Sequence, residues 1–291
     1  MTKRPSSTAP PRTSTIPLAL GLVGLAACAP VPQQANIRLA ALASSLDGTD
    51  IRKLRVDPPL AFVTERDSVV RLVSASSTCT GVLVDEDLVL TAHHCVVKPR
   101  TGAGTELEYL QPQAISVELG GDHLPWGSVH VKAVVAPQCG ASGGAGDVAV
   151  LVLSRGLVGV PTASVRFDRE PQVGELVDPV GFGRCATSDG IRRHAREGGR
   201  VRGLTYETLH LFSAVCPGDS GGPVFRRGTS EVVGVMSLAA MDGDESTKGP
   251  SVVARIDAYR ALLANARTIG DGLASANELP PVSCERTAVE H

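Results

Sequence analysis

Apolar and polar positions along the chain fall into short Val-rich runs broken by Gly, Asp and Pro, beginning at Ser68. The runs Val69–Val73, Gly81–Val84, Leu88–Thr91, Ile115–Leu119, Val129–Val135 and Val148–Leu153 predict six strands. A linker over Ser154–Pro171 separates them from a second set: Val173–Phe182, Gly199–Leu204, Pro223–Phe225, Glu231–Ser237 and Ser251–Ile256. Short strands at this spacing, with turn residues between them, belong to barrels or sandwiches. Only near the end does the period change. Tyr259, Leu262, Leu263 and Ala266 recur at helical spacing, predicting a helix over Asp257–Arg267 and a loose tail from Thr268. An aromatic content of 3% beside abundant Val, Ala and Gly agrees with an all-β core of small side chains.

The first 27 residues read differently. Lys3, Arg4 and Arg12 precede an apolar run from Ile16 to Ala27, too short for a confident span and patterned as a signal peptide. The run ends Leu25-Ala26-Ala27-Cys28, which resembles the bacterial lipobox, with Cys28 as the lipidated residue. Ordinary cleavage after Ala29 also satisfies a small-x-small site; the lipid anchor is favoured because Leu25 and Cys28 both fit. Residues 28–60, rich in Pro, Gln, Ala and Ser with a marginal helical patch at Asn36–Leu46, read as a tether or propeptide. Without residues 1–27 the charge balance is 25 basic against 30 acidic, which excludes a general nucleic-acid binder. Six arginines between Arg184 and Arg202 lack the interleaved aromatics of a nucleic-acid surface and read as a solvated, cleavable loop.

The chemistry concentrates in Cys216-Pro217-Gly218-Asp219-Ser220-Gly221-Gly222-Pro223. Flanking glycines let a substrate carbonyl approach the Ser220 hydroxyl closely. The Gly218 and Ser220 amides are then the candidates to receive an oxyanion. A serine needs a base, and the base needs an orienting group. Thr91-Ala92-His93-His94-Cys95 and Gly146-Asp147-Val148-Ala149 lie upstream to supply them. Gly218-Asp219-Ser220-Gly221-Gly222 also fits the nucleophile elbow of α/β-hydrolases, but those enzymes need a histidine after the serine, and His291 is the only one.

These three motifs, in the order His, Asp, Ser, resemble the chymotrypsin-like (trypsin-fold) serine proteases over roughly residues 60–267. The resemblance implies two packed six-stranded antiparallel β-barrels, at about 61–155 and 172–267, closed by a C-terminal helix, with 268–291 as a tail. It implies an endopeptidase with His94 as base, Asp147 as its orienting acid and Ser220 as nucleophile. His94 is preferred to His93 because the family's base directly precedes the cysteine. It places the pocket floor at Ala214 and Val215, its wall at Ser237 to Ala239, and Ser251 near its back. No acidic residue stands at that floor, so cleavage is expected after small or medium apolar residues.

Cys79 and Cys95 match the family's bridge at the histidine loop. Cys139, Cys185, Cys216 and Cys284 allow three pairings. Cys185 with Cys216, both flanking the expected pocket, and Cys139 with Cys284 are preferred, which fits an oxidising compartment. Zinc at Cys95 and its neighbouring histidines lacks a recognised ligand spacing, so no metal or cofactor is expected. The expected partner is a protein or peptide substrate, and a monomer is the default state. One departure stands out: zymogens of this family release an Ile-Val-Gly-Gly amino terminus that pairs with the aspartate before the nucleophile, here Asp219. No such segment precedes Cys79. Asp219 must find another partner, or the protein matures differently.

Overall fold

The computed structural model describes residues 53–55, 64–98, 108–121, 125–138, 143–186, 190–239 and 250–282. The first lobe contains β2 (Val69–Val73), β3 (Thr78–Asp85), β4 (Leu88–Thr91), β5 (Ser116–Leu119), β6 (Gly127–Val135) and β7 (Ala149–Leu153). Ahead of it, β1 (Lys53–Arg55) falls within the expected tether and pairs in parallel with β8 (Gly156–Val158). The six strands of the lobe pair in the order β2-β3-β4-β7-β6-β5, and β2 with β5 closes the barrel. Closure leaves no open edge in this lobe.

Strand β7 shows how the pattern builds the fold. All five of its residues are buried, so the run is continuously apolar. Leu151 and Leu153 point into the barrel with Val70, Leu83, Val89 and Val117. Val150 and Val152 point the other way, into a second core with Phe225, Val235, Leu262 and Ala266. The period-2 alternation of a strand thus serves two cores at once.

The second lobe holds β9 (Ser164–Val165), β10 (Val177–Gly181), β11 (His194–Ala195), β12 (Val201–Leu204), β13 (Thr208–Phe212), β14 (Pro223–Arg226), β15 (Glu231–Ala239) and β16 (Pro250–Arg255). Its path runs β11-β10-β14-β15-β16-β13-β12, with β9 in parallel beside β15. The lobe is a half-barrel. Its ends approach through an isolated Leu176–Arg200 bridge rather than a ladder; Pro179, lacking an N–H, stands in β10. Strand β13 falls outside every predicted run: its polar–apolar alternation, with Leu209 and Leu211 buried, spans only Thr208–Leu211.

The terminal helix starts later than predicted, since Asp257–Tyr259 tighten into a 3-10 turn before α1 (Arg260–Gly270). It buries Leu262, Leu263, Ala266 and Ile269, one face of a 3.6 period. The tail beyond it is not loose up to residue 282: Leu279 and Val282 pack on the core beside α1. No helix among the described residues is long and apolar enough to cross a membrane. The expected signal peptide, Cys28 and the Asn36–Leu46 patch lie outside the described residues.

Leu151→Ala empties a fully buried position in the closed barrel. It is expected to destabilise the protein by about 2–5 kcal/mol, read as a lower denaturant midpoint under non-reducing conditions.

Candidate active site

Strand β4 ends at Thr91, and a 3-10 turn, His93–Val96, follows at once. The Cys79–Cys95 disulfide ties this turn to β3. His94 faces Asp147: its backbone N–H donates to Oδ1 at 2.9 Å, and its Nδ1 lies 2.8 Å from Oδ2. Ser237 Oγ donates to the same Oδ2. Asp147 is 1% exposed, whereas the His94 side chain is 35% exposed, so the far edge of the imidazole is open to a reactant. Burial pushes the Asp147 carboxyl up, but the hydrogen bonds from His94 and Ser237 and the charge of His94 outweigh it. The group stays below its ordinary 3.8. A carboxylate held ionised fixes an N–H on Nδ1 and leaves Nε2 free to accept a proton.

Asp147 sits just ahead of β7. Gly146, at φ +70°, makes the turn that a side chain would resist. Its N–H donates to Tyr259 Oη at 2.9 Å, and Tyr259 donates in turn to Glu207 Oε1 at 2.6 Å. Burial and the neighbouring Glu207 carboxylate push the Tyr259 phenol up, so it remains a donor. Sequence reading took Tyr259 only as part of a helical face; its hydroxyl steadies the aspartate loop from the far lobe.

The Ser220 turn is held from three directions. Thr80 in β3 donates its N–H to Ser220 O at 2.8 Å and its hydroxyl to Gly218 O at 2.7 Å. Phe182 N–H donates to that hydroxyl at 2.9 Å, and Gly221 N–H donates to Met236 O in β15 at 2.7 Å. Gly218 adopts φ +100° and Gly221 φ +79°. Neither the Gly218 nor the Ser220 N–H donates to any group among the described residues. Thr80 is fully buried and joins the lobes at the turn; its only sequence signal was its place after Cys79.

Asp219 points away, fully buried, into Arg196: Nη2 donates to Oδ1 at 2.9 Å and Nε lies 2.7 Å from Oδ2. Arg193 pairs with buried Asp67 at 2.6 Å. The two arginine side chains are 7% and 9% exposed, so the predicted solvated loop is instead a built ion-pair segment in these parts. Its arginines were read by their number, whereas their acidic partners lie far away in sequence.

His93, the neighbour of His94, is fully buried; its Nε2 lies 2.8 Å from Tyr109 Oη, and burial lowers its pKa. Cys79, Cys95 and His94 bring ligand atoms within 4.8 Å of one another. Both sulfurs are joined in the disulfide and offer no thiolate to a metal. Cys185 is bonded to Cys216; the expected Cys139–Cys284 pair lies outside the described residues. Of the expected pocket residues, Ala239 faces Ser251 across β15 and β16. Ser251 Oγ donates to Ser213 O at 3.1 Å, and Val215 is buried beside half-buried Ala214. Ser237 spends its hydroxyl on Asp147 rather than on a pocket.

The sequence profile described as Trypsin matches residues 61–263. The chain belongs to the trypsin family. Among curated relatives of this trypsin-family protein, bovine (Bos taurus) chymotrypsin-like elastase family member 1 is 27% identical over 227 residues, covering 65% of the chain and 78% of the relative. Among solved structures, neuropsin, a serine protease from mouse brain, superposes with a TM-score of 0.53 at 19% identity, covering 69% of this chain and 95% of its own. An inactivated protease paralogue of the scabies mite superposes as well, with a TM-score of 0.53 at 20% identity, covering 70% and 96%. The fold alone therefore does not carry activity; the site's geometry must.

Asp147 gains stability from ionisation that is complete above the unfolded carboxylate pKa and lost as pH falls through its lower folded value. Ser237→Ala removes one of the bonds that lower it. Wild type is expected to melt above this variant by a constant margin from about pH 5 upward, and that margin should shrink as pH falls below 3.8. A margin unchanged down to pH 2 would contradict this linkage.

Proposed function

We propose that the protein is an exported serine endopeptidase acting through His94, Asp147 and Ser220. The observation that carries the reading is a buried carboxylate accepting from both the backbone and the ring of His94, beside a serine turn whose amides at Gly218 and Ser220 remain unspent. Ser220 Oγ attacks the scissile carbonyl while its proton passes to His94 Nε2. The carbonyl oxygen, now an anion, is received by the Gly218 and Ser220 amides. Collapse breaks the C–N bond as His94 returns the proton to the leaving amine. Water then hydrolyses the acyl-enzyme through the same base, releasing the acid and restoring Ser220. Asp147 stabilises the imidazolium at each proton transfer without taking the proton itself.

Ala214 and Val215, with Ala239 at the wall, suit a small or medium apolar residue before the cleaved bond; the elastase name of a relative is consistent with this. The disulfides Cys79–Cys95 and Cys185–Cys216 fit an exported protein. A lipid anchor at Cys28 remains part of the proposal from sequence.

A fluorescent fluorophosphonate should label the wild type and not Ser220→Ala, and the wild type should cleave peptides after Ala or Val in preference to Arg or Lys. Failure to label a folded, disulfide-bonded wild type would support a latent binding protein. Turnover of short acyl esters without any peptide cleavage would support an acyl hydrolase.

A further inference from the structure

The Asp219 carboxylate lies at the base of the Gly218–Ser220 turn with no exposed surface. Among the described residues, two backbone amides and one arginine meet it. Gly183 N–H donates to Oδ1 at 2.7 Å and Cys216 N–H to Oδ2 at 2.8 Å. Its positive partner is Arg196, 2.9 Å from Oδ1 through Nη2 and 2.7 Å from Oδ2 through Nε. The guanidinium also donates to Gly183 O at 2.6 Å. It therefore grips the carboxylate and the backbone beside it together. A buried carboxylate left without a countercharge is strongly unfavourable, and the backbone that carries this one also carries the Gly218 and Ser220 amides.

Arg196 is itself anchored. β11 pairs with Val180 and Gly181 of β10, and the Arg196 N–H donates to Pro179 O at 2.8 Å. The Cys185–Cys216 disulfide fastens the same segment to the residue whose N–H binds Asp219. Gly183 leaves room for this arrangement: a Cβ there would meet the Asp219 carboxyl carbon at 2.5 Å. Charge, backbone and disulfide thus converge on one side of the turn.

We propose that Arg196 is a positioning residue: it supplies from inside the chain the charge that sets the oxyanion turn, so the site assembles without release of a new amino terminus. The cysteine bridge from Cys185 clamps the same turn. This rests on Ser220 being the nucleophile. It predicts that the full-length chain, uncleaved, is already reactive.

The test measures the rate of fluorophosphonate labelling on full-length protein whose uncleaved state is verified by intact mass, together with kcat and KM on p-nitrophenyl acetate. The variants are Arg196→Met, Arg196→Lys, Arg193→Met and Ser220→Ala. Uncleaved wild type should label. Arg196→Met should label about 100-fold more slowly, the scale of a lost oxyanion donor, with kcat falling and KM little changed. Arg196→Lys should recover part of the rate, since it keeps the charge and loses the fork. Arg193→Met removes a buried ion pair of the same segment without touching Asp219. It should melt at lower temperature and still label within about threefold of wild type, a difference too small to reflect a lost transition-state contact.

Labelling of wild type that appears only after cleavage ahead of Val69 would overturn the proposal. So would Arg196→Met labelling at the wild-type rate, or Arg193→Met slowing as much as Arg196→Met. Wild type that labels neither before nor after cleavage would overturn the protease reading and this inference with it. Should Arg196→Met not fold, the uncleaved wild type and the Arg196→Lys rate decide.

Discussion

A carboxylate cannot be buried cheaply without a partner of opposite charge, and Asp219 is fully buried one residue before Ser220. That constraint organises the second lobe's approach to the site. Arg196 must lie beneath the turn, so β11 must run back along β10, and residues 181 and 183 must be glycines to let the carboxylate in. Residues 183–186 and 190–196, the bridge at Cys185 and the Ser220 turn are then held together as one built unit. Arg193 and Asp67 fasten the same segment to the first lobe.

The other half of the site depends on the closed barrel. β7 is buried on both faces, which fixes the depth and direction of the strand that follows Asp147. The His94 turn is bound to β3 by a disulfide, and β3 also carries Thr80. His94, Asp147 and the Ser220 turn are therefore referred to adjacent strands of one barrel. Thr80 links the lobes through two hydrogen bonds to the Ser220 turn and one accepted from Phe182, and Tyr259 links them through one from the Asp147 loop. Rigid elements with hydrogen-bonded support are what hold reacting groups within the tolerance that catalysis needs.

Much of this was legible in the sequence because it is local. Val-rich runs marked β2, β4 and β7 nearly to the residue, since alternation and buried continuity are written in consecutive positions. The pairing of His94, not His93, with Asp147 followed from the family resemblance, in which the base directly precedes the cysteine, here Cys95. What was illegible is long-range. The arginines of the 184–202 segment looked like solvated charge until Asp67 and Asp219, far off in the chain, were brought against them. Thr80 and Tyr259 resembled ordinary strand and helix residues because their hydroxyl partners come from other elements. β13 carries its alternation over only Thr208–Leu211, too short a run to mark a strand alone, and its place is set by its pairing with β16 and β12.

In the proposal above, the Arg196–Asp219 pair presets this turn to receive an oxyanion. The most direct measurement is a crystal structure of the uncleaved full-length protein after reaction with a phosphonate inhibitor. The account predicts a covalent bond to Ser220 Oγ, a phosphonyl oxygen about 3 Å from both the Gly218 and Ser220 amides, and Arg196 still on Asp219. An adduct on another residue, or a phosphonyl oxygen facing the carbonyl of residue 217 with Arg196 withdrawn from Asp219, would contradict it.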